Sequence, residues 1–272
     1  MSAGLFDTHC HLQDPRFKGE AGEVVQRAVA AGVTRMLACA YDRDSVALTL
    51  ELADRHEAVL AAVGIHPHDA DEVDEATVDL LRFAALHPRC VAIGEIGLDH
   101  YRDLQPRAVQ LAALEKQLDL AVELGLPVSV HSRSAEEAIE APLADYASRT
   151  PLRPAGRPAG VMHCFAGSLD QARHFVDMGF LISIPCTITY PNAENTRELA
   201  RELPLETLVV ETDAPYLPPQ TRRGKRNEPA FVIEVARAIA AAREVPVDSV
   251  VEATSENAAR TFGLAVAAGA GR

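Results

Sequence analysis

The sequence predicts an α/β protein of the TIM, or (β/α)8, barrel class. Eight short runs of apolar and β-branched residues alternate with stretches of helical periodicity. Such alternation implies right-handed βαβ units and a parallel sheet, and eight units in 272 residues is the number and size of a barrel. An open doubly wound sheet is the alternative, but the glycine-rich phosphate-binding turn that it would need after the first strand is absent.

The elements follow one another in regular order. The predicted strands cover residues 5–9, 33–40, 58–66, 90–97, 127–131, 160–164, 180–185 and 207–213. The predicted helices cover residues 20–31, 43–56, 74–86, 106–124, 134–147, 168–178, 193–202, 229–243 and 248–262.

Local signals support several of these boundaries. Three glycines stand between a helix and the next strand, where a left-handed residue is favoured: Gly32, Gly125 and Gly179. Two serines have the spacing of a capping box with a residue three positions later, Ser134 with Glu137 and Ser168 with Gln171. We therefore expect the fifth and sixth helices to begin at these serines.

Composition restricts the classes of function. With 26 basic and 39 acidic residues the net charge is −13, so the overall field does not attract polyanions and any phosphate affinity must be local. No run reaches the roughly 18 apolar residues of a membrane span. Five widely spaced cysteines without a CxxC motif suggest neither a disulfide framework nor a thiolate zinc site.

Domain organisation and location are expected to be simple. We expect one barrel domain over residues 1–264 and a flexible tail of small residues over 265–272. A basic start followed by an apolar stretch is missing, so no signal peptide is expected. We expect a cytoplasmic monomer that does not contact membranes.

Ionisable residues collect at the predicted strand ends, the face where barrel enzymes have their active sites. Six of the ten histidines lie at such positions. The set comprises His9, His11, His66, His68, Glu95, Asp99, His131, His163, Glu211 and Asp213. Burying so many imidazoles and carboxylates in one barrel mouth would be costly without a cation, so the pattern predicts a metal site.

The number of donors favours two ions. A catalytic zinc takes about three protein ligands, and here four histidines and two carboxylates are offered. Glu95, midway in strand order, is expected to bridge the ions. His9, His11 and Asp213, from strands that meet when the barrel closes, should share one ion, and His131 and His163 should hold the other. Imidazole-rich ligation suits Zn, Mn, Fe or Ni better than Mg.

Seven motifs together make the sequence resemble the TatD family of metal-dependent deoxyribonucleases, within the amidohydrolase-like barrels. The motifs are DTHCH at 7–11, GIHPH at 64–68, GEIGLD at 94–99, VHSR at 130–133, HCFAG at 163–167, ETDAPYLPP at 211–219 and RGKRNEP at 223–229. The resemblance spans residues 7–257. It implies a barrel of the metallo-dependent hydrolase type.

The same resemblance implies a ligand set and an activity. The ligands would be His9, His11, Glu95, His131, His163 and Asp213. The activity would be a Mg- or Mn-supported nuclease, commonly a 3′–5′ exonuclease on single-stranded DNA, with some members acting on RNA or on damaged DNA, as in DNA repair. Many amidohydrolase barrels bridge their metals with a carboxylated lysine, but none of the three lysines here lies at a strand end, which leaves that role to Glu95.

Mechanistic roles follow as hypotheses. Two ions, bridged by Glu95, would activate a water, and Asp213 would accept its proton and pass it to the leaving oxygen. Further residues are expected to contact the substrate. His66 and Arg133 would bind phosphate, the basic loop Arg222, Arg223, Lys225 and Arg226 would clamp it, and Tyr190 and Tyr216 would stack bases.

Two other functions remain open from the sequence. A small-molecule hydrolase acting on an amide, lactone or phosphotriester would use the same bimetal barrel, and an apolar pocket above the metals would favour it. A metal-stabilised scaffold would have a closed coordination sphere instead of an open position.

Overall fold

Eight parallel strands form a barrel in the computed structural model, which describes residues 4–265. The sheet order is β1 to β8, and each strand is hydrogen-bonded to the next. The strands are β1 Leu5–Cys10, β2 Val33–Cys39, β3 Val59–Val63, β4 Cys90–Asp99, β5 Val128–Arg133, β6 Gly160–His163, β7 Phe180–Ile184 and β8 Leu208–Val210. The predicted fold class is therefore confirmed.

Closure between the first and last strands lies at their carboxyl ends. Cys10 bridges Ala214, the amide of His11 donates to the carbonyl of Ala214 (2.7 Å), and the amide of Asp213 donates to the carbonyl of His9 (2.9 Å). These bonds bring residues from opposite ends of the chain to the same side of the barrel mouth.

Nine α-helices of the described residues surround the sheet. They are α1 Ala21–Ala30, α2 Arg43–Arg55, α3 Glu75–Ala85, α4 Arg107–Leu124, α5 Glu136–Arg149, α6 Leu169–Asp177, α7 Glu194–Glu202, α8 Val232–Arg243 and α9 Val247–Thr261. Each corresponds to a predicted helix. Two differences from the predicted boundaries are clear. A 3-10 turn at Pro229–Phe231 precedes α8, which begins later than predicted. Strands β3 and β8 are shorter than predicted, so His66 and Asp213 lie in the loops that follow them.

Most of the predicted boundary signals are confirmed. Gly32, Gly125 and Gly179 have φ values of 92°, 63° and 95°. Ser168 caps α6 reciprocally with Gln171. The capping box at Ser134 is wrong: Ser134 takes φ 54° and is exposed, and α5 begins two residues later without a side-chain cap. The next residue, Ala135, is buried, and this placement turns the serine away from the helix start.

The lower part of the barrel interior is filled with apolar side chains. Phe6, Leu37, Leu60 and Leu181 belong to this cluster, and Phe262, just after α9, packs against Phe6 with ring centroids 5.7 Å apart. Because this part of the interior is apolar, the polar side chains of a site are expected at the carboxyl ends of the strands.

Other expectations are met in part. Among residues 4–265, no helix combines the length and apolar character needed to cross a membrane. The five cysteines are all free, and four of them are buried. Apart from Ala265, the predicted tail lies outside the described residues, and the single-domain assignment stays a prediction.

Candidate metal centre

Glu95 lies at the centre of five imidazoles. Its carboxylate is almost fully buried, and a ring nitrogen of each histidine approaches one of its two oxygens. The nitrogen–oxygen distances are 3.3 Å for His9 Nε2, 3.6 Å for His11 Nε2, 3.6 Å for His66 Nε2, 3.0 Å for His131 Nδ1 and 3.7 Å for His163 Nε2. These side chains come from four strands and the loop after β3.

Two glycines allow Glu95 to reach this position. A Cβ at Gly94 would lie 2.7 Å from Cβ of Ser129, and one at Gly97, where φ is 151°, would overlap the carbonyl oxygen of His131. Because only glycine permits so close an approach, the GEIG motif draws β4 against β5 and aims the intervening glutamate into the mouth.

His9, His11 and Asp213 form one side of the centre. His9 and His11 are two residues apart and so project to the same face, and their Nε2 atoms are 3.3 Å apart. Asp213 Oδ1 lies 3.6 Å from Nε2 of His11. Asp213 has the left-handed φ of 56°, which is uncommon for a residue with a side chain.

A second layer of groups orients the imidazoles. Nδ1 of His11 donates to the carbonyl of Cys39 (2.9 Å), which can only accept, so its Nε2 keeps a lone pair for the centre. Nδ1 of His163 donates to Glu211 (3.0 Å), so its Nε2 is the nitrogen that faces the centre. Nδ1 of His9 is 3.1 Å from Oγ of Ser129. This arrangement is typical of histidines that bind metals through their free nitrogen.

The carboxylates behind this layer are themselves held in place. Glu211, fully buried, also accepts from the amide of Cys164 (2.8 Å). Asp99 lies 3.5 Å from Nε2 of His131 and accepts from the amides of Tyr101 and Arg102 (2.9 and 2.7 Å). The strand-end carboxylates therefore hold the first layer rigidly.

Burial and neighbouring charges shift the pKa values of the centre. Burial opposes ionisation of Glu95, but the imidazoles, His66 and His9 foremost, hold its pKa well below the usual value. Burial lowers the pKa of His9 to about 3 and that of His66 well below its usual value. For His163, the carboxylate of Glu211 outweighs burial and raises the pKa to about 10.

The donor set fits divalent metal ions. Two ligands about 2.1 Å from a tetrahedral ion are about 3.4 Å apart, close to the separations of 3.0 to 3.7 Å around Glu95. Four groups of side chains offer three donor atoms within 4.8 Å of one another. They are His9–His11–Asp213, His9–Glu95–His163, His66–Glu95–His131 and His163–Cys164–Asp213.

The division of ligands differs from the sequence-based expectation in one respect. His9, His11 and Asp213 form one group as expected, and Glu95 lies between the two halves. His131, however, groups with Glu95 and His66, whereas the ring of His163 stacks on that of His9 with centroids 3.5 Å apart. His163 reaches across the narrow barrel instead of pairing with its strand neighbour, and His66 offers a donor that was expected to contact only the substrate.

A cavity of about 660 Å³ opens above the centre. Its wall includes His66 and Arg133, two of the predicted substrate contacts, together with the ligand candidates Glu95, His131 and Asp213. Tyr216 also lines it, as one of the two tyrosines expected to stack bases. Arg102, from the loop after β4, adds a second cation to the wall.

The basic loop does not line this cavity. Arg226 pairs with Glu20 (2.8 Å) and Glu228 (3.2 Å), so its guanidinium connects the loop to α1 and not to the cavity, and the expected phosphate clamp is corrected at this residue. Arg222 lies over the ring of Phe231 and Arg223 over that of Tyr190, at 5.1 and 4.4 Å. Contacts to substrate by Arg222, Arg223 and Lys225 stay predictions.

Sequence reasoning missed the supporting layer. Ser129, Glu211 and Asp99 were not assigned roles, although Glu211 and Asp99 lie at the strand ends that were singled out. The rule that a ligating histidine donates its second nitrogen to a carboxylate or carbonyl would have pointed to them. The hydroxyl of Ser129 carried no such signal in the sequence.

Comparison with known proteins gives consistent relatives. The sequence model of one protein family, TatD related DNase, matches residues 6–263 of this chain. The uncharacterized metal-dependent hydrolase YabD of Bacillus subtilis is 36% identical, over 95% of this chain and 98% of its own length. A protein of Enterobacter lignolyticus named 3′-5′ ssDNA/RNA exonuclease TatD is 34% identical, over 96% of this chain and 100% of its own.

Solved structures share the barrel. The crystal structure of YjjV, a TatD homolog from Escherichia coli, has a TM-score of 0.90 at 34% identity, covering 97% of this chain and 100% of that one. An organophosphorus hydrolase from Deinococcus radiodurans has a TM-score of 0.67 at 13% identity, covering 96% and 93%, which is a likeness of fold alone.

Proposed function

Because the chain belongs to the TatD-related DNase family and is a metal-dependent hydrolase of that family, we propose that it cleaves phosphodiester bonds in DNA. The proposed activity is 3′–5′ exonucleolytic removal of nucleotides from single-stranded DNA, with RNA as a second substrate. A relative that is 34% identical carries the name of such an exonuclease, which supports the proposal. The proposed cofactors are two divalent ions, with Mg or Mn supporting activity and Zn as another occupant.

One observation carries the proposal: the donor groups around Glu95 face an accessible cavity that also presents two arginines. Asp213 and His131 remain partly exposed to this cavity, at 13% and 16% of their side chains. A purely structural metal site would be enclosed by its ligands. Arg102 and Arg133 provide cations beside the centre, as a phosphate substrate requires.

The side chains divide the work in the proposed reaction. Bound divalent ions would supply Lewis acidity and a water of lowered pKa. His9, His11, Glu95, His131, His163 and Asp213 would hold the ions, and His66 would either join them or contact the phosphate. Asp213, which lines the cavity, would accept a proton from the attacking water and return it to the leaving oxygen.

Turnover by an Asp213→Asn variant tests this function. The metal-reconstituted protein is incubated with single-stranded DNA labelled at its 5′ end, and separately with the same strand labelled at its 3′ end. We expect wild type to give a ladder that shortens from the 3′ end, and Asp213→Asn to lose at least about 1000-fold of the rate, because both a ligand and a proton acceptor are removed.

Asp177→Asn is the matched control, since this exposed aspartate ends α6 at the opposite face of the barrel. Circular dichroism and thermal unfolding check that both variants fold. Unchanged hydrolysis by Asp213→Asn would refute the role of Asp213. A metal-loaded wild type that leaves DNA and RNA intact, yet hydrolyses a lactone or phosphotriester, would replace the nuclease by the small-molecule alternative.

A further inference from the structure

Tyr101, Arg102 and Arg133 form a cluster beside the metal cavity that the proposed chemistry does not use fully. The guanidinium of Arg133 lies 4.1 Å from the centre of the Tyr101 ring. Tyr101 is 65% exposed, so the guanidinium covers only part of it and leaves aromatic surface open to solvent. Tyr101 follows Asp99, which accepts a hydrogen bond from its amide and fixes the start of this loop.

The two arginines of this cluster are free of carboxylate partners. Within residues 4–265, neither Arg102 nor Arg133 forms an ion pair within 4.0 Å, whereas Arg16 pairs with Asp14 and Arg226 with Glu20. Both side chains line the cavity. The protein has a net charge of −13. Two unpaired cations beside its metal centre therefore indicate a binding site for an anion.

The cluster also joins the metal cavity to a second depression. Arg133 lines both, and the second depression, of about 530 Å³, continues over Tyr101 to the segment Ala166–Ser168 and to Gln171. Glu136 places a carboxylate on its wall, which favours an uncharged base over a phosphate there. A strand that leaves the metal centre past Arg133 would therefore reach the ring of Tyr101.

Two other arginine–tyrosine stacks near the mouth are different. Arg16 lies 3.8 Å from the ring centre of Tyr216, but Asp14 binds both partners, so this stack is closed within the protein. Arg223 lies over Tyr190 outside the set of residues that line the cavity. Of these three stacks within residues 4–265, the one at Tyr101 alone combines an open ring, an unpaired cation and continuity with the metal centre.

We propose that Tyr101, Arg133 and Arg102 form a binding subsite for the nucleotide next to the scissile phosphate, with its base stacked on Tyr101 and its phosphate held by the two arginines. The inference rests on the proposed nuclease function and names its substrate class more closely. A stacked base must be unpaired, so the subsite would select single strands over duplexes. Stacking reads no base edge and therefore confers little sequence preference.

The test separates binding from turnover. Fluorescein-labelled single-stranded oligothymidylate is titrated with metal-loaded Asp213→Asn protein, alone and combined with Tyr101→Leu, and binding is read by anisotropy. Cleavage of the same strand is compared in wild type and Tyr101→Leu. A second strand carries an abasic tetrahydrofuran residue beside the scissile phosphate, and Tyr101→Phe keeps the aromatic ring.

We expect Tyr101→Leu to weaken binding and kcat/KM about tenfold on oligothymidylate, which is the loss of one base–aromatic stack. On the abasic strand the change should be less than about twofold, and Tyr101→Phe should behave as wild type. Arg133→Gln should weaken binding of both strands, because both keep the phosphate. Phe83→Leu, the control at an exposed aromatic ring on α3, should alter neither.

The outcomes distinguish the two proposals. Cleavage of DNA that is insensitive to Tyr101→Leu, or equally impaired on the abasic strand, would overturn the subsite and leave the nuclease function standing. Binding that depends on Tyr101 without cleavage of any nucleic acid would overturn the nuclease function and leave the subsite standing. Neither binding nor cleavage would overturn both.

Discussion

The polar groups on the two walls of the metal cavity differ in whether they have partners within the protein. The β1–β8 wall presents Tyr216, which Asp14 and Arg16 hold from outside the cavity lining: Asp14 accepts from Nε and Nη2 of Arg16 (both 3.1 Å) and from the hydroxyl of Tyr216 (3.0 Å). The β4–β5 wall presents Arg102 and Arg133, with Tyr101 beside them in the adjoining depression, and all three side chains are exposed.

The difference separates stability from binding. Polar groups that satisfy one another contribute to the folded state and have little left for a ligand. Cations without partners contribute little to stability but keep their full capacity for phosphate. Glu95 lies between the two walls, and its carboxylate approaches histidines from both of them, His9 from β1 and His131 from β5.

The largest expected effect is at this shared carboxylate. Glu95→Gln keeps the volume but removes the charge that faces five imidazoles, so we expect loss of at least one of two bound ions and a fall of more than about 1000-fold in kcat/KM. Metal content by inductively coupled plasma mass spectrometry and cleavage of labelled DNA measure the two losses. The exposed Glu198→Gln serves as control. Retention of both ions with normal turnover would remove Glu95 from the centre.

A smaller effect is expected one layer out, at Glu211. Glu211→Gln removes the negative charge behind His163 and should weaken metal affinity about 10- to 100-fold, the range for partners of ligating histidines. Isothermal titration with Zn or Mn measures the affinity, again with Glu198→Gln as control. An affinity within twofold of wild type would show that the geometry of His163 does not depend on this charge.

The same titration has a pH dependence with a definite sign. The pKa of His163 is raised to about 10, so its interaction with Glu211 stabilises the metal-free protein fully below about pH 6.5 and is lost as the pH rises toward 10. Metal binding must displace that proton, so affinity should rise with pH between 6 and 9. Heats measured in two buffers of different ionisation enthalpy report the released proton, and Glu211→Gln should release less.

The closed wall should respond in stability and not in catalysis. Asp14→Asn removes a charged acceptor of Arg16 and Tyr216, and because Arg16 is about half exposed we expect a loss of about 1–2 kcal/mol in the free energy of unfolding. Urea denaturation measures it, with the exposed pair Asp170–Arg173 as control through Asp170→Asn. A loss of activity without a loss of stability would show that the β1–β8 wall serves catalysis and would contradict this distinction.

The smallest effect is expected at the basic loop. Replacing Arg222, Arg223 and Lys225 by glutamine should change the slope of log K against log salt for single-stranded DNA by less than one phosphate contact, about 0.7. Replacing Arg102 and Arg133 instead should lower the slope by about 1.4, from two contacts. A larger change in slope for the loop variant would show that the loop binds phosphate, as the sequence suggested.

The strand order and the location of the centre were predictable because both depend on periodicity and on one rule of barrel architecture. His9, His11, Glu95, His131, His163 and Asp213 were placed at strand ends from the sequence, and the structure brings them together at one end of the barrel. What failed depended on contacts between distant segments. His163 stacks on His9 from a strand that is not adjacent to β1 in the sheet, and no local pattern in the sequence predicts such a contact.

The basic loop shows the same limit. Four cations in five residues indicated a phosphate clamp, but Arg226 meets Glu20, which lies about two hundred positions earlier in the chain. Asn227 of the same motif is buried and donates to the carbonyls of Thr212 and Tyr216, so part of the motif serves to hold the turn after β8. Composition alone does not distinguish a cation used for folding from one left free for a ligand.

Anomalous diffraction from crystals grown with Mn tests the central claim most directly, because it locates the ions independently of activity. We expect two peaks about 3.5–4 Å apart, both within ligand distance of Glu95, one beside His9, His11 and Asp213 and the other beside His131. A single peak, or two peaks that Glu95 does not contact, would contradict it.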